Sequence, residues 1–169
     1  TSGLHSDIYF QCAKLYQYPN ITEKLGKKLA EKLKEVEFDT IAAPAIGAVI
    51  IGYETAKQAQ KRNLFVERKD GVMQLRRGYT LKKGEKVVII EDVITTARTI
   101  KETIDAIKEF KPEIVAVGCI VDRTKGQTEY NIKSLMQIDP VTYEPDNCPL
   151  CKEGIPLVKP GSREEKVKS

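Results

Sequence analysis

An unbroken apolar run that ends in two carboxylates constrains the fold of this chain more than any other feature. The run Val87 to Ile90 contains only β-branched residues, and Glu91 and Asp92 follow it directly. Such a run predicts a strand buried on both faces, as in a parallel sheet covered by helices. A second run, Ile114 to Val121, predicts another buried strand, and a helical pattern separates the two. Parallel strands joined by helices indicate an α/β fold.

The same alternation of strands and helices extends through most of the chain. The further predicted elements are a helix after Asn20, a strand at 40–43, a helix at 48–61, a strand at 63–67, a hairpin at 68–79 around Asp70-Gly71, a helix that ends before Pro112, and a strand at 134–138. Asn20 and Glu23 have the spacing of a capping box. The pattern predicts a doubly wound, mostly parallel sheet, whose ligands bind at the carboxyl ends of the strands.

Composition and charge exclude several classes of protein. The chain has 169 residues, 41% of them hydrophobic and 31% charged, and no apolar run approaches the roughly 20 residues that cross a bilayer. Lysine and arginine (28) exceed aspartate and glutamate (24) by 4, and the lysines of the first predicted helix are interspersed with glutamates. This distribution indicates a solvated helix face and not a nucleic-acid surface. Because no basic-then-apolar leader is present, we expect a cytoplasmic protein without membrane contact.

The four cysteines leave one question about metal binding open. Cys12, Cys119, Cys148 and Cys151 are too few and too unevenly placed for a disulfide framework. Cys148 and Cys151 have the C-x2-C spacing of half a tetrahedral zinc site. The only histidine is His5, and neither other cysteine is near this pair in sequence. The sequence therefore favours a structural or incidental role for the pair, with metal or redox chemistry as the alternative.

The segment with the clearest chemical signal runs from Glu91 to Thr99. Two carboxylates leave the buried strand, and a turn rich in hydroxyls then opens a helix. Free N–H groups at a helix N-terminus, joined by the hydroxyls of Thr95, Thr96 and Thr99, suit a phosphate monoester. Glu91 and Asp92 suit vicinal sugar hydroxyls and a hydrated magnesium ion. The alternative is that Thr95 and Thr96 only cap the helix and that Glu91 and Asp92 only favour its dipole, which leaves the cost of two adjacent carboxylates after a buried strand unexplained.

This segment resembles the phosphoribosyl pyrophosphate motif of type I phosphoribosyltransferases. The resemblance implies a Mg²⁺ cofactor, held mainly through substrate and water near Glu91 and Asp92, and a catalytic role for Asp92. It also implies that nine consecutive residues bind phosphoribosyl pyrophosphate, namely Glu91, Asp92, Val93, Ile94, Thr95, Thr96, Ala97, Arg98 and Thr99. One departure matters, because the family usually has glycine at the position of Ala97, where a Cβ is penalised if φ is positive.

Two further segments resemble the orotate phosphoribosyltransferases within that family. Ser2 to Phe10 matches the N-terminal S-G-x-x-S-x-x-[YF]-F pattern, and Asp122-Arg123 matches a pair whose arginine contacts the orotate carboxylate. An aromatic wall suits a flat ring, and a guanidinium binds a carboxylate through two parallel hydrogen bonds. The resemblance implies an orotate site made of Tyr9, Phe10, Thr95 and Arg123. The alternatives are a plain strand at 1–10 and a salt bridge within the Asp122-Arg123 pair.

Two loops complete the resemblance. Pro44-Ala45-Ile46-Gly47 resembles the family's pyrophosphate loop, in which small residues let backbone amides approach the anion. Arg68 and Lys69 resemble the start of its mobile catalytic loop, which implies a substrate-binding role for Arg68 and a catalytic role for Lys69. The later lysine and histidine of that loop are missing, and this chain has Arg76 and Arg77 nearby. The alternatives are a simple strand-to-helix turn and a solvated basic hairpin.

The resemblance covers residues 2–163 and implies an activity and an assembly. The activity is transfer of the phosphoribosyl group of phosphoribosyl pyrophosphate to orotate, giving orotidine 5'-phosphate and pyrophosphate in pyrimidine (UMP) biosynthesis. The assembly is a homodimer with shared active sites. Each chain is expected to be a single domain over 1–169, in which 1–19 and about 139–163 form a small hood and 164–169 is a frayed tail. Two alternatives stay open: transfer to another nucleobase, and a phosphoribosyltransferase-like regulator that binds nucleic acid.

Overall fold

The computed structural model describes residues 3–158, in which strands and helices alternate. The strands are β1 (Thr40–Pro44), β2 (Arg62–Lys69), β3 (Val72–Leu75), β4 (Lys86–Ile94), β5 (Glu113–Asp122) and β6 (Ile132–Gln137). The helices are α1 (Ala13–Tyr16), α2 (Pro19–Lys32), α3 (Val49–Ala59), α4 (Arg98–Ile107) and α5 (Pro149–Lys152), with 3-10 turns at Lys108–Phe110 and Pro145–Asn147. The predictions for Ser2 and for a frayed tail at 164–169 lie outside the described residues.

The six strands form one sheet in the order β3-β2-β1-β4-β5-β6. Every neighbouring pair is parallel except β2 and β3, which form the hairpin predicted around Asp70-Gly71. The chain moves outward from β1 to β3, then returns to β4 on the other side of β1 and continues to β6. This reversal between β1 and β4 is the topological switch point at which such sheets bind ligands. The predicted doubly wound, mostly parallel fold is confirmed.

Helices cover both faces of the sheet and bury its central strands. On one face, α2 and α3 pack against each other, and Gly52 of α3 approaches β1 so closely that an added Cβ would lie 2.6 Å from the Ala43 Cβ. On the other face, Ile107 of α4 packs in one cluster with Ala42 of β1. Ala42 and Ala43 point to opposite faces because side chains alternate along a strand. The run Val87 to Ile90 is fully buried between the two layers of helices, as its composition predicts.

The first long helix begins earlier than the sequence predicts. Pro19 occupies its first position and Tyr18 is the N-cap, so Asn20 and Glu23 do not form the predicted capping box. Proline fits the first helical position because the N–H that it lacks would have no partner there. The Thr22 hydroxyl donates a hydrogen bond to the Tyr18 carbonyl at 3.2 Å, within the same first turn.

The chain divides into two compact units. The larger unit, Cys12–Ile138, contains the six strands of the sheet. The terminal unit contains residues 3–11 and 139–158 of the described chain, and two backbone hydrogen bonds of 2.9 Å between His5 and Tyr143 join its two segments. The hood that the sequence predicts from residues 1–19 and about 139–163 stays a prediction. None of the helices between residues 3 and 158 is long and apolar enough to span a bilayer.

Candidate active site

The two predicted carboxylates lie near the carboxyl end of the central strand β4. Glu91 pairs with Cys119 of β5 and is only 7% exposed, whereas Asp92 is half-buried. Glu91 Oε1 accepts a hydrogen bond from the Asp92 N–H at 3.0 Å, and Asp92 Oδ1 accepts one from the Val93 N–H at 2.7 Å. These backbone contacts fix one oxygen of each carboxylate, and the Asp92 Oδ2 atom faces the neighbouring loop at Gly47.

The loop predicted to bind pyrophosphate meets the Asp92 carboxylate. A Cβ added at Gly47 would lie 3.1 Å from Asp92 Oδ2, so glycine keeps this approach open. The Ala45 N–H donates to the Val66 carbonyl of β2 at 2.7 Å, which anchors the loop, and the peptide between Ala45 and Ile46 is cis. The Ile46 side chain is 82% exposed and therefore does not serve packing. The structure thus brings the loop and the carboxylate pair together at the switch point of the sheet.

The segment between β4 and α4 leaves the start of α4 open. Ala97 is the N-cap of α4, and no side chain makes a capping hydrogen bond there. Thr95 and Thr96 are exposed, so the alternative that these threonines cap the helix is wrong. The first N–H groups of a helix have no partner within it, which makes them available to an anion beside the threonine hydroxyls. The φ angle of Ala97 is 54°, the left-handed value at which a Cβ is penalised.

Burial raises the pKa of Glu91 and of two neighbouring residues, Cys12 and Tyr16. Burial, with a smaller effect of the Asp92 charge, raises the pKa of Glu91 well above its ordinary value. Burial and the two carboxylate charges also raise the pKa of Cys12 to about 12 and raise that of Tyr16. Cys12 and Tyr16 are therefore close enough for the charges of both carboxylates to affect their pKa values. The buried Tyr16 hydroxyl makes no hydrogen bond with any described residue, which leaves it available to a ligand.

Cys12 and Tyr16 are absent from the site predicted from the sequence. Cys12 is the N-cap of α1, and Tyr16 is the last residue of this short helix. No motif signals a ligand in this segment, and four helical residues are too few to show a periodic pattern. Only the folded arrangement, which brings α1 near the end of β4, identifies these two residues.

Arg123 lies at the same edge of the sheet as the β4 carboxylates. Its backbone N–H donates to the Ile94 carbonyl at 2.8 Å. The neighbouring Asp122 carboxylate is buried and accepts hydrogen bonds from the Thr124 N–H at 2.8 Å and from the Gln137 amide at 3.4 Å. Asp122 therefore uses these partners, and within the described chain it forms no salt bridge with Arg123, so that alternative is wrong. Arg123 Nε is buried and finds no acceptor among the described residues, which suits an anionic ligand.

Helix α4 holds Arg68 in this structure. The Arg68 guanidinium donates to the Glu102 carboxylate and, at 2.7 Å, to the Gly71 carbonyl. Arg98, in the first turn of α4, donates to the same Glu102 carboxylate at 3.0 Å. Burial alone would raise the pKa of Glu102, but the hydrogen bonds from the two arginines outweigh it and lower this pKa. Arg68 can therefore reach a substrate only by exchanging or sharing its partner Glu102.

The other cations of the hairpin differ in their partners. Arg76 and Arg77 both bind the Glu67 carboxylate, at nitrogen–oxygen distances of 3.1 and 2.9 Å. The hydrogen bond from Arg77 is the main cause that lowers the pKa of Glu67. Lys69 is exposed at the end of β2, and no ion pair or side-chain hydrogen bond with another described residue holds it. Of these three cations, Lys69 is the one whose charge a described carboxylate does not engage.

The two aromatic residues predicted to contact the base belong to the terminal unit. Tyr9 is half-exposed and Phe10 is half-buried there. They are therefore not among the groups that the larger unit brings together at the end of β4.

The chain is similar in sequence and in fold to phosphoribosyltransferases. Residues 11–141 match the phosphoribosyl transferase domain family. An orotate phosphoribosyltransferase of Caldicellulosiruptor saccharolyticus is 52% identical over 168 residues, which is 98% of this chain and 88% of that protein. An orotate phosphoribosyltransferase of Caldanaerobacter subterraneus subsp. tengcongensis is 50% identical over 96% of this chain and 87% of that protein. The adenine phosphoribosyltransferase of Thermoanaerobacter pseudethanolicus superposes with a TM-score of 0.68 at 18% identity, over 78% of this chain and 90% of that one.

The match over residues 11–141, on a fold with the carboxylates at its switch point, makes the chain a member of the phosphoribosyltransferase family. The low identity of the adenine enzyme limits that comparison to the fold. The two relatives at 52% and 50% identity are orotate phosphoribosyltransferases, and within the family this chain groups with them. The predicted family and the predicted class of enzyme, a pentosyltransferase, are confirmed.

Proposed function

We propose that the chain transfers the phosphoribosyl group of phosphoribosyl pyrophosphate to orotate, giving orotidine 5'-phosphate and pyrophosphate. The observation that carries this proposal is the approach of Gly47 to Asp92 beside the uncapped start of α4. The open loop at Gly47 admits pyrophosphate, while the threonine hydroxyls and free N–H groups suit the 5-phosphate. The ribose between these two anions faces the carboxylates, which accept hydrogen bonds from its hydroxyls.

The reaction defines what the charged residues do. The bond between the anomeric carbon and a pyrophosphate oxygen breaks, and a bond forms between that carbon and a ring nitrogen of orotate. Departure of pyrophosphate leaves positive charge on the ribose and adds negative charge to the leaving group. Asp92 stabilises the ribose cation, and Lys69, which no described carboxylate engages, neutralises the leaving group. The ring nitrogen of orotate releases its proton to water or to the departing pyrophosphate, so we assign no strong base among the side chains.

The carboxylate edge also fits a magnesium ion. Asp92 Oδ2 faces the space that Gly47 leaves open, and Mg²⁺ prefers oxygen ligands while keeping several of its waters. We assign Glu91 and Asp92 to hold the ion mainly through water and substrate oxygens. The bound ion supplies positive charge to the pyrophosphate.

The residues predicted to contact the base are assigned next. We assign the orotate carboxylate to Arg123, because its buried Nε has no acceptor among the described residues and a guanidinium binds carboxylates with two parallel hydrogen bonds. Tyr9 and Phe10 are assigned to stack on the pyrimidine ring, and Thr95 to border it. Uracil and the purines lack the carboxylate, so Arg123 would favour orotate over them.

We also propose that two copies of the chain form a homodimer with shared active sites. Lys69 precedes the turn of an exposed hairpin, a position from which a cation can reach a neighbouring subunit. The later arginines, Arg76 and Arg77, support the hairpin through Glu67 and are not assigned to catalysis. The dimer is proposed to act in the cytoplasm and to bind neither nucleic acid nor membranes.

Product formation with different acceptor bases tests the proposed function. With phosphoribosyl pyrophosphate and Mg²⁺, we expect pyrophosphate release and orotidine 5'-phosphate with orotate, and no comparable release with uracil, adenine or hypoxanthine. Chelation of Mg²⁺ should abolish the reaction. A higher turnover with another base would reassign the substrate. Inactivity with every base, together with tight RNA or DNA binding, would favour a regulator.

A further inference from the structure

A cluster of three metal-ligating side chains lies in the terminal unit, and phosphoribosyl transfer assigns it no role. His5, Cys148 and Cys151 each place a ligand atom within 4.8 Å of the other two. Cys151 Sγ lies 3.3 Å from His5 Nδ1, and neither cysteine forms a disulfide. Cys148 is buried, His5 is half-buried and Cys151 is exposed, so the cluster is open on one side. The sequence does not predict this arrangement, because His5 is far from Cys148 and Cys151 along the chain.

The backbone of the terminal unit positions all three residues. Two antiparallel hydrogen bonds of 2.9 Å between His5 and Tyr143 hold the N-terminal segment against residues 139–158. Cys148 is the N-cap of α5, and the Lys152 N–H donates to the Cys148 carbonyl at 3.2 Å. Residues three apart lie on the same side of such a turn, so Cys148 and Cys151 face the same ligand. The arrangement therefore comes from backbone structure and not from side-chain rotamers alone.

We propose that His5, Cys148 and Cys151 bind one Zn²⁺ ion. Thiolate and imidazole ligands suit zinc, whereas magnesium and calcium prefer oxygen. Zn–S bonds of about 2.3 Å and Zn–N bonds of about 2.0 Å separate the ligand atoms of a tetrahedral site by about 3.5 Å. The distance of 3.3 Å between Cys151 Sγ and His5 Nδ1 is close to that value. No fourth histidine, cysteine or acidic residue between 3 and 158 joins the cluster, so we assign the fourth position to water.

The ion would stabilise the terminal unit, which has almost no hydrophobic core. Pro140 and Cys148 are the only buried residues of the terminal unit within its described segments. Small units with little buried apolar surface commonly depend on a metal or a disulfide. A cavity of about 370 Å³, which His5 and both cysteines help to line, gives the ion a path into the cluster. One metal ion would thus cross-link the two ends of the chain.

The zinc content of the 169-residue chain tests this proposal. After reduction and removal of metal, the chain should retain one Zn²⁺ when it is loaded with excess zinc and desalted. Co²⁺ in place of zinc should give the charge-transfer absorption of a thiolate-bound ion. Cys151→Ser and His5→Gln should each weaken zinc binding by more than the roughly 10- to 100-fold that loss of an outer-shell partner costs. Cys119→Ala, which changes a cysteine of β5 in the larger unit, is the matched control and should bind zinc as the parent chain does.

The outcomes separate zinc binding from other roles of the cysteines. Both test variants change side chains that are not fully buried, and circular dichroism checks that they fold. Clearly less than one zinc ion per reduced chain would overturn the proposal, as would unchanged zinc binding in both Cys151→Ser and His5→Gln. A Cys148–Cys151 disulfide that forms in air, together with a reduced chain that binds no zinc, would also overturn it in favour of a redox pair.

Discussion

Ala97 adopts the left-handed backbone conformation that the sequence anticipates for a position usually held by glycine. A φ of 54° costs an L-residue about 1 to 2 kcal/mol of strain, which glycine would remove. Glycine also loses about 0.5 to 1 kcal/mol more backbone entropy on folding, so only part of that strain energy is recovered. Ala97→Gly should therefore raise the free energy of unfolding by about 0.5 to 1 kcal/mol, measured with urea, and lower the KM for phosphoribosyl pyrophosphate. The control Ala106→Gly, inside α4, should instead destabilise the chain by about 1 kcal/mol. An Ala97→Gly variant no more stable than its parent would show that the turn accommodates alanine without strain.

Glu91 makes the stability of the substrate-free protein depend on pH. Its folded pKa lies above the ordinary value of 4.5, chiefly because of burial. The protonated Glu91 carboxyl therefore makes its full contribution to the free energy of unfolding below pH 4.5, and this contribution is lost as the pH rises towards the folded pKa. Glu91→Gln stays neutral, so it should be more stable than the parent at neutral pH, with a difference that shrinks towards acid. Urea unfolding across pH measures this, with the exposed Asp105→Asn as control, and parallel pH profiles for Glu91→Gln and the parent would contradict it.

At the residue scale, local motifs predict more of the site than isolated residues do. Glu91 to Thr99 is one contiguous segment, and its residue types alone indicate phosphate, sugar and metal. Cys12 and Tyr16 carry no such signal, because their importance comes only from proximity to carboxylates far away in the sequence. The ionisation of Glu91 is likewise a property of the fold, since burial is its largest cause.

At the scale of elements, residues with strong backbone preferences are the reliable guides. Asp70 and Gly71 have φ angles of 51° and 82°, as a tight hairpin turn requires, and this hairpin is confirmed. The capping box at Asn20 fails because Pro19 fits the first helical position and starts α2 earlier. A side-chain cap contributes only about 1 kcal/mol, so the backbone constraint of a neighbouring proline can override it.

The hairpin supplies a prediction about turnover. Lys69→Ala should lower kcat by about 10- to 1000-fold, with a smaller change in KM, because one positioned charge on the leaving group is lost in the transition state. Steady-state kinetics measures both constants. Lys83→Ala removes a similarly exposed lysine at the opposite end of the sheet and should leave both constants unchanged. Unchanged turnover in Lys69→Ala would remove the hairpin from the catalytic site.

At the scale of the whole molecule, the alternation of strands and helices predicts the sheet. Contacts between segments that are distant in the sequence cannot be predicted in this way. β1 and β4 are both identified as strands, and the topology rules then place their carboxyl ends at one edge. Nothing in the sequence shows that His5 meets Cys148 and Cys151, because the pairing of His5 with Tyr143 joins segments from opposite ends of the chain. In the sequence, the C-x2-C pair therefore has no histidine or third cysteine near it.

Shared active sites predict complementation between two inactive variants. Lys69→Ala lacks the hairpin cation, and the double variant Glu91→Gln/Asp92→Asn lacks the carboxylates. A mixed dimer contains one site with both parts intact, so mixing the two proteins should restore part of the activity after subunit exchange. Each variant mixed with itself is the control. A mixture that stays inactive despite demonstrated exchange would mean that each site is built from one chain.

Pyrophosphate release by the Glu91→Gln/Asp92→Asn double variant tests most directly whether the end of β4 is the catalytic site. With orotate, phosphoribosyl pyrophosphate and Mg²⁺, turnover should fall by at least about 100-fold, because the oxygens that serve the ribose and the hydrated ion are lost. Asp105→Asn, which alters an exposed carboxylate of α4, should keep the turnover of the parent chain. Near-normal turnover in a folded double variant would contradict the account.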